Sequence, residues 1–175
     1  MTTSLRTKAT AQSITLITTP TPDQMEEWWD TLHIDPWRDR LLHDNFPKSL
    51  VAFCDKIHSG EMIFFLFGTE QDEVVCAMWA QWFRWNAAQQ GFEGYIGGYA
   101  MPQYRGKPAM TAFKQGIDVL LHDYNFVKLN ALVRVDNQVS QHMTVAIGLR
   151  RVNSKTSTVS FKGLPVQMAH YELVA

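Results

Sequence analysis

The stretch with the clearest potential binding chemistry covers residues 100–110, Ala-Met-Pro-Gln-Tyr-Arg-Gly-Lys-Pro-Ala-Met. It places Arg105, Gly106 and Lys107 directly before a helix that the apolar stripe over residues 109–124 predicts. The first turn of a helix has free N–H groups and the positive end of the helix dipole, so it attracts phosphates. This stretch therefore predicts an anion-binding loop.

Other familiar catalytic patterns are missing from the sequence. The six histidines are scattered, with no pair at the helical spacing of three or four residues, which argues against a zinc site. There is no Gly-x-Ser-x-Gly nucleophile elbow and no Walker loop. The glycines between residues 91 and 98 lack the spacing of a dinucleotide-binding loop and precede a strand instead of a helix. No metal and no covalent nucleophile are expected.

The composition indicates a folded chain. Its 175 residues are 46% hydrophobic and 19% charged, which is typical of one globular domain. Sixteen basic and 17 acidic residues give a formal net charge of −1, which argues against a protein that coats nucleic acid. The sequence has neither the long apolar run of a transmembrane helix nor the apolar segment of a secretory signal. With two cysteines, a cytoplasmic setting is expected.

The elements that must position the loop follow from hydrophobic periodicity. Residues 1–12 are read as a polar arm and residues 13–175 as one domain with the order β-α-α-β-β-β-α-β-α-β-β. Thr21 begins the first helix as the N-cap of a capping box. The strands over residues 94–101 and 127–135 flank the helix that follows the loop, which predicts a parallel crossover.

The loop and its helix resemble the acyl-CoA-binding motif of the GNAT acetyltransferases, which is a strand, then Arg/Gln-x-x-Gly-x-Gly/Ala, then a helix. Arg105 matches the first position and Gly106 follows it. A short helix from Asn137 to Gly148 resembles the Asn…Gly-Phe stretch of the family, and the element order agrees over residues 14–174. The chain is interpreted as a divergent GNAT protein with an α/β (α+β) fold, a mixed central sheet of about six to seven strands flanked by about four helices.

The resemblance implies that acetyl-CoA is the co-substrate. The helix N-terminus would hold the phosphates, and two splayed parallel strands would offer backbone groups to the pantetheine arm. The cofactor-binding residues that it implies are Ala100, Met101, Arg105, Gly106, Lys107, Ala109 and Asn137.

Three positions depart from the family pattern. Pro108 stands at the first motif glycine and removes a backbone donor, and Met110 stands at the second. Thr144 stands where many members have the tyrosine that protonates the leaving thiolate. Threonine has no comparable acidity, so the general acid is absent or comes from elsewhere.

An amine must lose a proton before it attacks a thioester, and four residues near the expected cleft are candidates for the base. They are Glu93, Tyr95, Tyr99 and Asp136. Glu93 and Tyr99 are predicted as the catalytic pair, against the alternative that Glu93 is a solvated strand-end carboxylate and Tyr99 a half-buried sheet residue.

Tryptophans form a second feature with two interpretations. On the strand over residues 74–85, strict alternation puts Trp79 and Trp85 on one face and Trp82 on the other. They are interpreted as sheet core, with an aromatic acceptor pocket as the alternative. Trp28 and Trp29 on the first helix border the acceptor cleft or a partner surface.

Two functions follow from the resemblance. The first is an N-acetyltransferase that transfers an acetyl group from acetyl-CoA to the amine of a small molecule, a protein N-terminus or a lysine, with no covalent enzyme intermediate. The second is a catalytically inactive GNAT-fold binding or assembly protein with a protein partner. A similarity in style to GNAT-like proteins of tailed phages implies a head or virion component in that case. Neither nucleic acid nor a membrane is expected as a partner.

Overall fold

The computed structural model describes residues 13–36 and 43–175. The arm expected over residues 1–12 lies outside the described residues.

A seven-stranded sheet with helices on both faces forms the described part of the chain. The strands are β1 (Ile14–Ile17), β2 (Met62–Thr69), β3 (Val74–Asn86), β4 (Gly91–Ala100), β5 (Phe126–Arg134), β6 (Arg150–Phe161) and β7 (Leu164–Val174). The helices are α1 (Pro22–Ile34), α2 (Leu50–His58), α3 (Lys107–His122) and α4 (Gln138–Ala146), with a 3-10 turn at Pro102–Tyr104 before α3.

The order of strands in the sheet is β1-β2-β3-β4-β5-β7-β6. Strands β1 to β4 form an antiparallel meander, β4 and β5 are parallel, and β5, β7 and β6 are antiparallel. The mixed sheet, the element order and the parallel crossover through α3 confirm the predictions from periodicity.

Local sequence explains where the helices begin and end. The side chain of Thr21 accepts a hydrogen bond from the backbone N–H of Gln24, and the side-chain oxygen of Gln24 accepts one from the N–H of Thr21, which completes the capping box. The Ser49 side chain caps α2 by accepting a hydrogen bond from the Ala52 N–H. After α4, Gly148 has a φ of 110°, a left-handed conformation that glycine adopts without strain.

The sheet is covered on both faces, so there are two hydrophobic cores. One packs α3 against the sheet and includes Phe67, Met78, Phe113 and Leu129. The other packs α1 and α2 against the opposite face. Its residues are Trp28, Trp29, Leu32, Phe46, Phe53, Met62, Leu66, Val74, Ala77, Trp79, Tyr99 and Met101.

A bulge in β3 changes the arrangement of the tryptophans. The register of β3 against β4 shifts between Gln81 and Arg84, and Trp82 has a φ of 52°. The extra residue breaks the alternation, so Trp79 and Trp82 line the same cavity. Trp85 instead packs against Phe92, which borders the core beneath α3. The prediction that Trp79 shares a face with Trp85 was wrong. Trp82 and Trp85 are also about half exposed, so they are not core residues.

The pair Gly97-Gly98 makes room for aromatic rings. A Cβ atom on Gly97 would come within 2.6 Å of the Trp79 ring, and one on Gly98 within 2.7 Å of the Phe113 ring. The register of β3 and β4 is continuous there. The pair therefore forms no bulge, and the two glycines allow Trp79 and Phe113 to pack closely on opposite faces of β4.

Candidate functional site

Strands β4 and β5 diverge halfway along their length. Their pairing ends at Tyr95 and Asn130, and the side chain of Asn130 donates a hydrogen bond to the Gly94 carbonyl there. From Ile96 to Ala100, β4 is paired with β3 alone. The sheet therefore opens into a gap at the C-terminal half of β4.

The backbone of β4 presents hydrogen-bonding groups to this gap. The N–H of Met101 donates to the Val75 carbonyl of the β3 side. Because hydrogen-bonding direction alternates along a strand, Gly98 and Ala100 direct their N–H and C=O groups away from β3, toward β5. A ligand in the gap can therefore pair with β4 as an extra strand would.

The gap leads into a cleft of about 550 Å³, which we call the outer cleft. Strand β4, the start of α3 and helix α4 form its walls. Its lining residues are Gly98, Tyr99, Ala100, Arg105, Gly106, Met110, Phe113, Asn137, Val139, His142, Met143 and Ala146. Apolar side chains dominate, with a polar and basic rim at Arg105 and Gly106.

Helix α3 begins at this rim and directs its N-terminus to it. Gly106 is the N-cap, and its φ of 99° is a conformation that L residues rarely adopt. No acidic residue lies in the first turn. Pro108 lacks an N–H and the N–H of Met110 already donates to the Gly106 carbonyl, which leaves the amides of Gly106, Lys107 and Ala109 as the first-turn N–H groups that no intrahelical bond uses.

Arg105 forms an ion pair with Asp35, next to the C-terminal end of α1. The Asp35 side chain is 2% exposed, and it also accepts a 2.7 Å hydrogen bond from the Tyr99 hydroxyl. The Arg105 guanidinium lies 5.9 Å from the centre of the Tyr99 ring. Burial and then the Asp35 carboxylate raise the pKa of Tyr99, so its phenol stays protonated and is poorly suited to remove a proton from an amine.

Helix α4 forms the wall opposite α3. The buried side chain of Asn137 caps the helix by accepting a hydrogen bond of 3.1 Å from the Ser140 N–H. The Thr144 hydroxyl donates to the Ser140 carbonyl at 2.8 Å and is buried. Asn137 thus fixes the position of α4, and Thr144 has its hydroxyl satisfied within the helix.

Glu93 lies away from the outer cleft, at the start of β4. Its carboxylate accepts hydrogen bonds from Asn86 and Arg84 of β3. The Asn86 hydrogen bond is the main cause of a lowered pKa for Glu93, with a smaller contribution from Arg84. A carboxylate that is held ionised by two partners on β3 is a weak proton acceptor. Its catalytic role stays a prediction.

Two smaller cavities continue the outer cleft through the gap in the sheet. The inner cavity, of about 150 Å³, shares Gly98, Phe113 and Met143 with the outer cleft. The aromatic cavity, of about 80 Å³, lies on the face of α1 and α2. The inner and aromatic cavities share Trp79, Ile96, Gly97 and Leu132. The shared lining residues therefore place the three cavities next to one another, from one face of the sheet to the other.

The aromatic cavity contains one unusual polar group, the ring of His43. Nδ1 accepts a hydrogen bond from the backbone N–H of Asn45, and Nε2 is buried with no hydrogen-bond partner among the described residues. Burial, and then Lys48, lower the pKa of His43, which keeps the ring neutral at pH 7. Since Nδ1 accepts a hydrogen bond, the proton of the neutral ring lies on Nε2. Nε2–H is therefore a buried donor that an oxygen atom of a ligand could accept from.

The structure brings together most, but not all, of the site residues predicted from the sequence. Those that line the outer cleft are Tyr99, Ala100, Arg105, Gly106 and Asn137. Those that do not are Glu93, Met101, Lys107 and Ala109. Lys107 is exposed at the start of α3, and the Ala109 side chain is buried in the core.

Met101 is the predicted cofactor residue whose backbone the structure removes from the site. Its N–H donates to Val75, its carbonyl accepts from Tyr104, and its side chain is buried in the core beneath α1 and α2. Gly98, which the sequence reasoning missed, occupies the position that Met101 was expected to fill. The signal that could have identified Gly98 is the alternation of hydrogen-bonding direction along a strand, because residues two apart direct their backbone groups to the same side as Ala100.

Neither a metal site nor a membrane-spanning helix is found among residues 13–36 and 43–175. No three His, Cys, Asp or Glu side chains cluster as a metal site would require. No helix in these ranges is both long and apolar enough to span a bilayer.

Comparison with known proteins gives a match at the level of fold alone. No protein-family model and no curated protein sequence matches the chain. Among solved structures, Mycobacterium smegmatis RimJ in complex with CoA-disulfide superposes with a TM-score of 0.74 at 14% identity, over 93% of this chain and 82% of that chain.

Two acetyltransferases from Vibrio agree. The spermidine N-acetyltransferase of Vibrio cholerae in complex with CoA and spermine has a TM-score of 0.73 at 12% identity, over 92% of this chain and 95% of that one. The ribosomal-protein-S5-alanine acetyltransferase of Vibrio fischeri has a TM-score of 0.71 at 11% identity, over 92% and 91%. The chain therefore has the GNAT acetyltransferase fold, as the resemblance implied.

Proposed function

We propose that this chain is a CoA-dependent N-acyltransferase, which moves the acyl group of a CoA thioester, acetyl in the simplest case, to an amine. The divergence of β4 and β5 beside the N-terminus of α3 carries the proposal, because it combines unpaired strand amides with an anion site on one cleft. The CoA ligands named for two of the structural neighbours support the same occupant.

The proposed placement of CoA follows the chemistry of the outer cleft. Its pyrophosphate lies at the N-terminus of α3, where the amides of Gly106, Lys107 and Ala109 and the side chains of Arg105 and Lys107 supply donors and positive charge. The missing donor at Pro108 weakens this site, since a hydrogen bond to a charged group contributes about 1.5–3 kcal/mol.

The pantetheine arm then extends along β4. Its amides pair with the backbone groups that Gly98 and Ala100 direct into the gap, and Asn137 supports the far wall as the cap of α4. The thioester reaches the inner cavity, where the sheet is open to its opposite face.

The amine enters from the aromatic cavity and attacks the thioester carbonyl directly. The new C–N bond forms as the C–S bond breaks, the amine nitrogen gives one proton to water, and the sulfur leaves as a thiolate that takes a proton from solvent. The described residues that line the aromatic cavity include no carboxylate. A water molecule therefore accepts the amine proton, and it either keeps that proton or passes it on to Glu93. Thiols have a pKa of about 8.5, and a thiolate of this basicity departs without an enzymic acid.

The aromatic cavity also indicates the kind of amine. Phe46, Trp79, Trp82 and Tyr95 line it, and its described lining residues carry no acidic group that would bind a polycation. We therefore propose an acceptor with one amine next to an apolar or aromatic body, either a small molecule or a protein N-terminus. The neutral Nε2–H of His43 would donate to an oxygen atom of that acceptor.

Two observations favour a second candidate, an inactive GNAT-fold binding protein. Arg105 already has a carboxylate partner in Asp35, and Thr144 offers no acidic hydroxyl in place of tyrosine. An inactive protein would leave every amine unmodified, whether or not CoA binds.

Mass spectrometry separates the two candidates. The purified full-length chain is incubated with acetyl-CoA and a panel of aromatic amines, polyamines and peptides, and both the acylated amine and free CoA are quantified. The enzyme yields equal amounts of both with an aromatic amine or peptide, and Gly98→Val, which drives a side chain into the Phe113 ring, reduces the yield. The absence of acylated amine at every tested amine concentration would contradict the proposal that the chain is an enzyme.

A further inference from the structure

The inner cavity is larger and more apolar than an acetyl group requires. Its volume is about 150 Å³, and it lies between the diverging halves of β4 and β5, beneath α3 and α4. Its lining residues are Met78, Trp79, Ile96, Gly97, Gly98, Phe113, Ala131, Leu132, Val133, Ser140, Met143, Thr144 and Ile147.

The chemistry of this lining selects against charge. None of the described lining residues is ionisable, and the Thr144 hydroxyl is already bonded to the Ser140 carbonyl. A charged group that enters such a cavity loses its hydration without gaining a partner. The occupant must therefore be apolar.

One small lining residue creates the space. Thr144 on α4 is small where many members of the resembling family have a tyrosine, whereas the rings of Trp79 and Phe113 fill the space beside Gly97 and Gly98. A tyrosine ring at position 144 would extend into the cavity, because Thr144 is one of its lining residues and is nearly inaccessible from outside. With threonine at this position, an open apolar volume remains at the end of the cleft.

A dry apolar cavity of about 150 Å³ accommodates a molecule the size of benzene, which has six carbon atoms. We infer that the inner cavity holds the acyl chain of the donor, and that the preferred donor is a CoA thioester with an unbranched apolar acyl group of about four to six carbons. This inference rests on the proposed function, since the chain reaches the cavity only if CoA occupies the outer cleft. The transfer has the same balance as with acetyl: the C–S bond breaks, the C–N bond forms, and CoA leaves as a thiol.

Titration calorimetry on the full-length chain tests the inference with CoA, acetyl-CoA, butyryl-CoA, hexanoyl-CoA and succinyl-CoA. Each buried methylene strengthens binding by about fourfold, so butyryl-CoA, with two more methylenes than acetyl-CoA, should bind about fifteenfold more tightly, and hexanoyl-CoA, with four more, about two-hundredfold more tightly. Succinyl-CoA has the length of butyryl-CoA but adds a carboxylate, and it should bind at least about tenfold more weakly than butyryl-CoA.

Two variants fill the cavity from different walls. Thr144→Tyr on α4 and Ala131→Leu on β5 should each bring the ratio of hexanoyl-CoA to acetyl-CoA affinity down to within about threefold of one. Val145→Tyr is the matched control, because Val145 is adjacent on α4, is 55% exposed and should leave the ratio as in the wild type. Circular dichroism shows whether each variant folds. If a variant does not fold, the ratio of hexanoyl-CoA to acetyl-CoA affinity in the wild type still tests the inference.

The outcomes separate the inference from the function on which it rests. If CoA and acetyl-CoA bind but the longer thioesters bind no more tightly than acetyl-CoA, the acyl-chain inference is wrong and the proposed function stands. If the preference exists but survives both filling variants, the chain lies elsewhere and the inference is again wrong. If CoA itself does not bind at millimolar concentration, the proposed function fails and the inference fails with it.

Discussion

Replacement of Arg105 by alanine should have two separable effects, because this side chain serves both the proposed phosphate site and the ion pair with Asp35. Removal of one partner of a buried ion pair costs about 3–5 kcal/mol in the free energy of unfolding. The Arg105 side chain is 39% exposed, so solvent screens its charge, and we expect a smaller loss of about 1–3 kcal/mol.

A double-mutant cycle isolates this pair. Unfolding by urea is measured for the wild type, Arg105→Ala, Asp35→Asn and the double variant, each followed by tryptophan fluorescence. We expect a coupling energy of about 1–2 kcal/mol, since the two side chains are in direct contact. A coupling below about 0.5 kcal/mol would refute the reasoning that the pair holds α1 to the loop before α3.

The same variants connect the ion pair to ligand binding. In Asp35→Asn, the guanidinium of Arg105 no longer faces a carboxylate that competes with a phosphate, so CoA should bind severalfold more tightly than to the wild type. Arg105→Ala should bind CoA more weakly in either background. Equal CoA affinity in the wild type and Asp35→Asn would mean that Arg105 reaches the phosphate without leaving Asp35.

Three further predictions concern other groups. Glu93→Gln should change the rate of acyl transfer by less than about threefold, because both partners of Glu93 lie on β3; a loss of about a hundredfold or more would identify it as the general base. Asp44 has a pKa below its ordinary value of 3.8 through hydrogen bonds with Ser160 and Gly163, so it stabilises the fold above that pH and ceases to do so as the pH falls through the lowered value. Unfolding measured from about pH 5 to pH 2 should therefore show a steeper loss for the wild type than for Asp44→Asn. Cys76 is fully buried and its thiol pKa is strongly raised, so a thiol reagent at pH 8 should modify Cys54 in the native protein and Cys76 only after unfolding; equal native rates would contradict this burial.

Local patterns were sufficient for the order of elements. Apolar spacing predicted α1, α3 and α4, the capping box fixed the start of α1, and the parallel crossover followed from a strand–helix–strand unit. These features depend on residues close in sequence, so a single chain carries them.

Features that depend on distant residues were missed. The bulge at Trp82 is defined by the register of β3 against β4, and it moved Trp82 to the face of Trp79. The partner of Arg105 is Asp35, 70 residues earlier in the chain, at the end of another helix. No periodicity or motif in the sequence encodes either contact.

The site itself was predicted in part. Arg105, Gly106 and Asn137 were identified from their motif and line the outer cleft, whereas Met101 lies just beyond β4 and its backbone bonds to Val75 and Tyr104. The inner cavity was not foreseen, because its volume arises from the angle between β4 and β5 and from the packing of α4 above them. Thr144 was noted only as a lost acid, and its second consequence, an open apolar volume, required the structure.

Titration calorimetry with CoA tests the central claim, that the outer cleft is a CoA site, most directly. We expect micromolar binding by the wild type, a loss of about one to two decades in Arg105→Ala, and unchanged affinity in Lys114→Ala, which removes one positive charge from an exposed position of the same helix. Absence of binding at millimolar CoA, or equal weakening by the two substitutions, would contradict it.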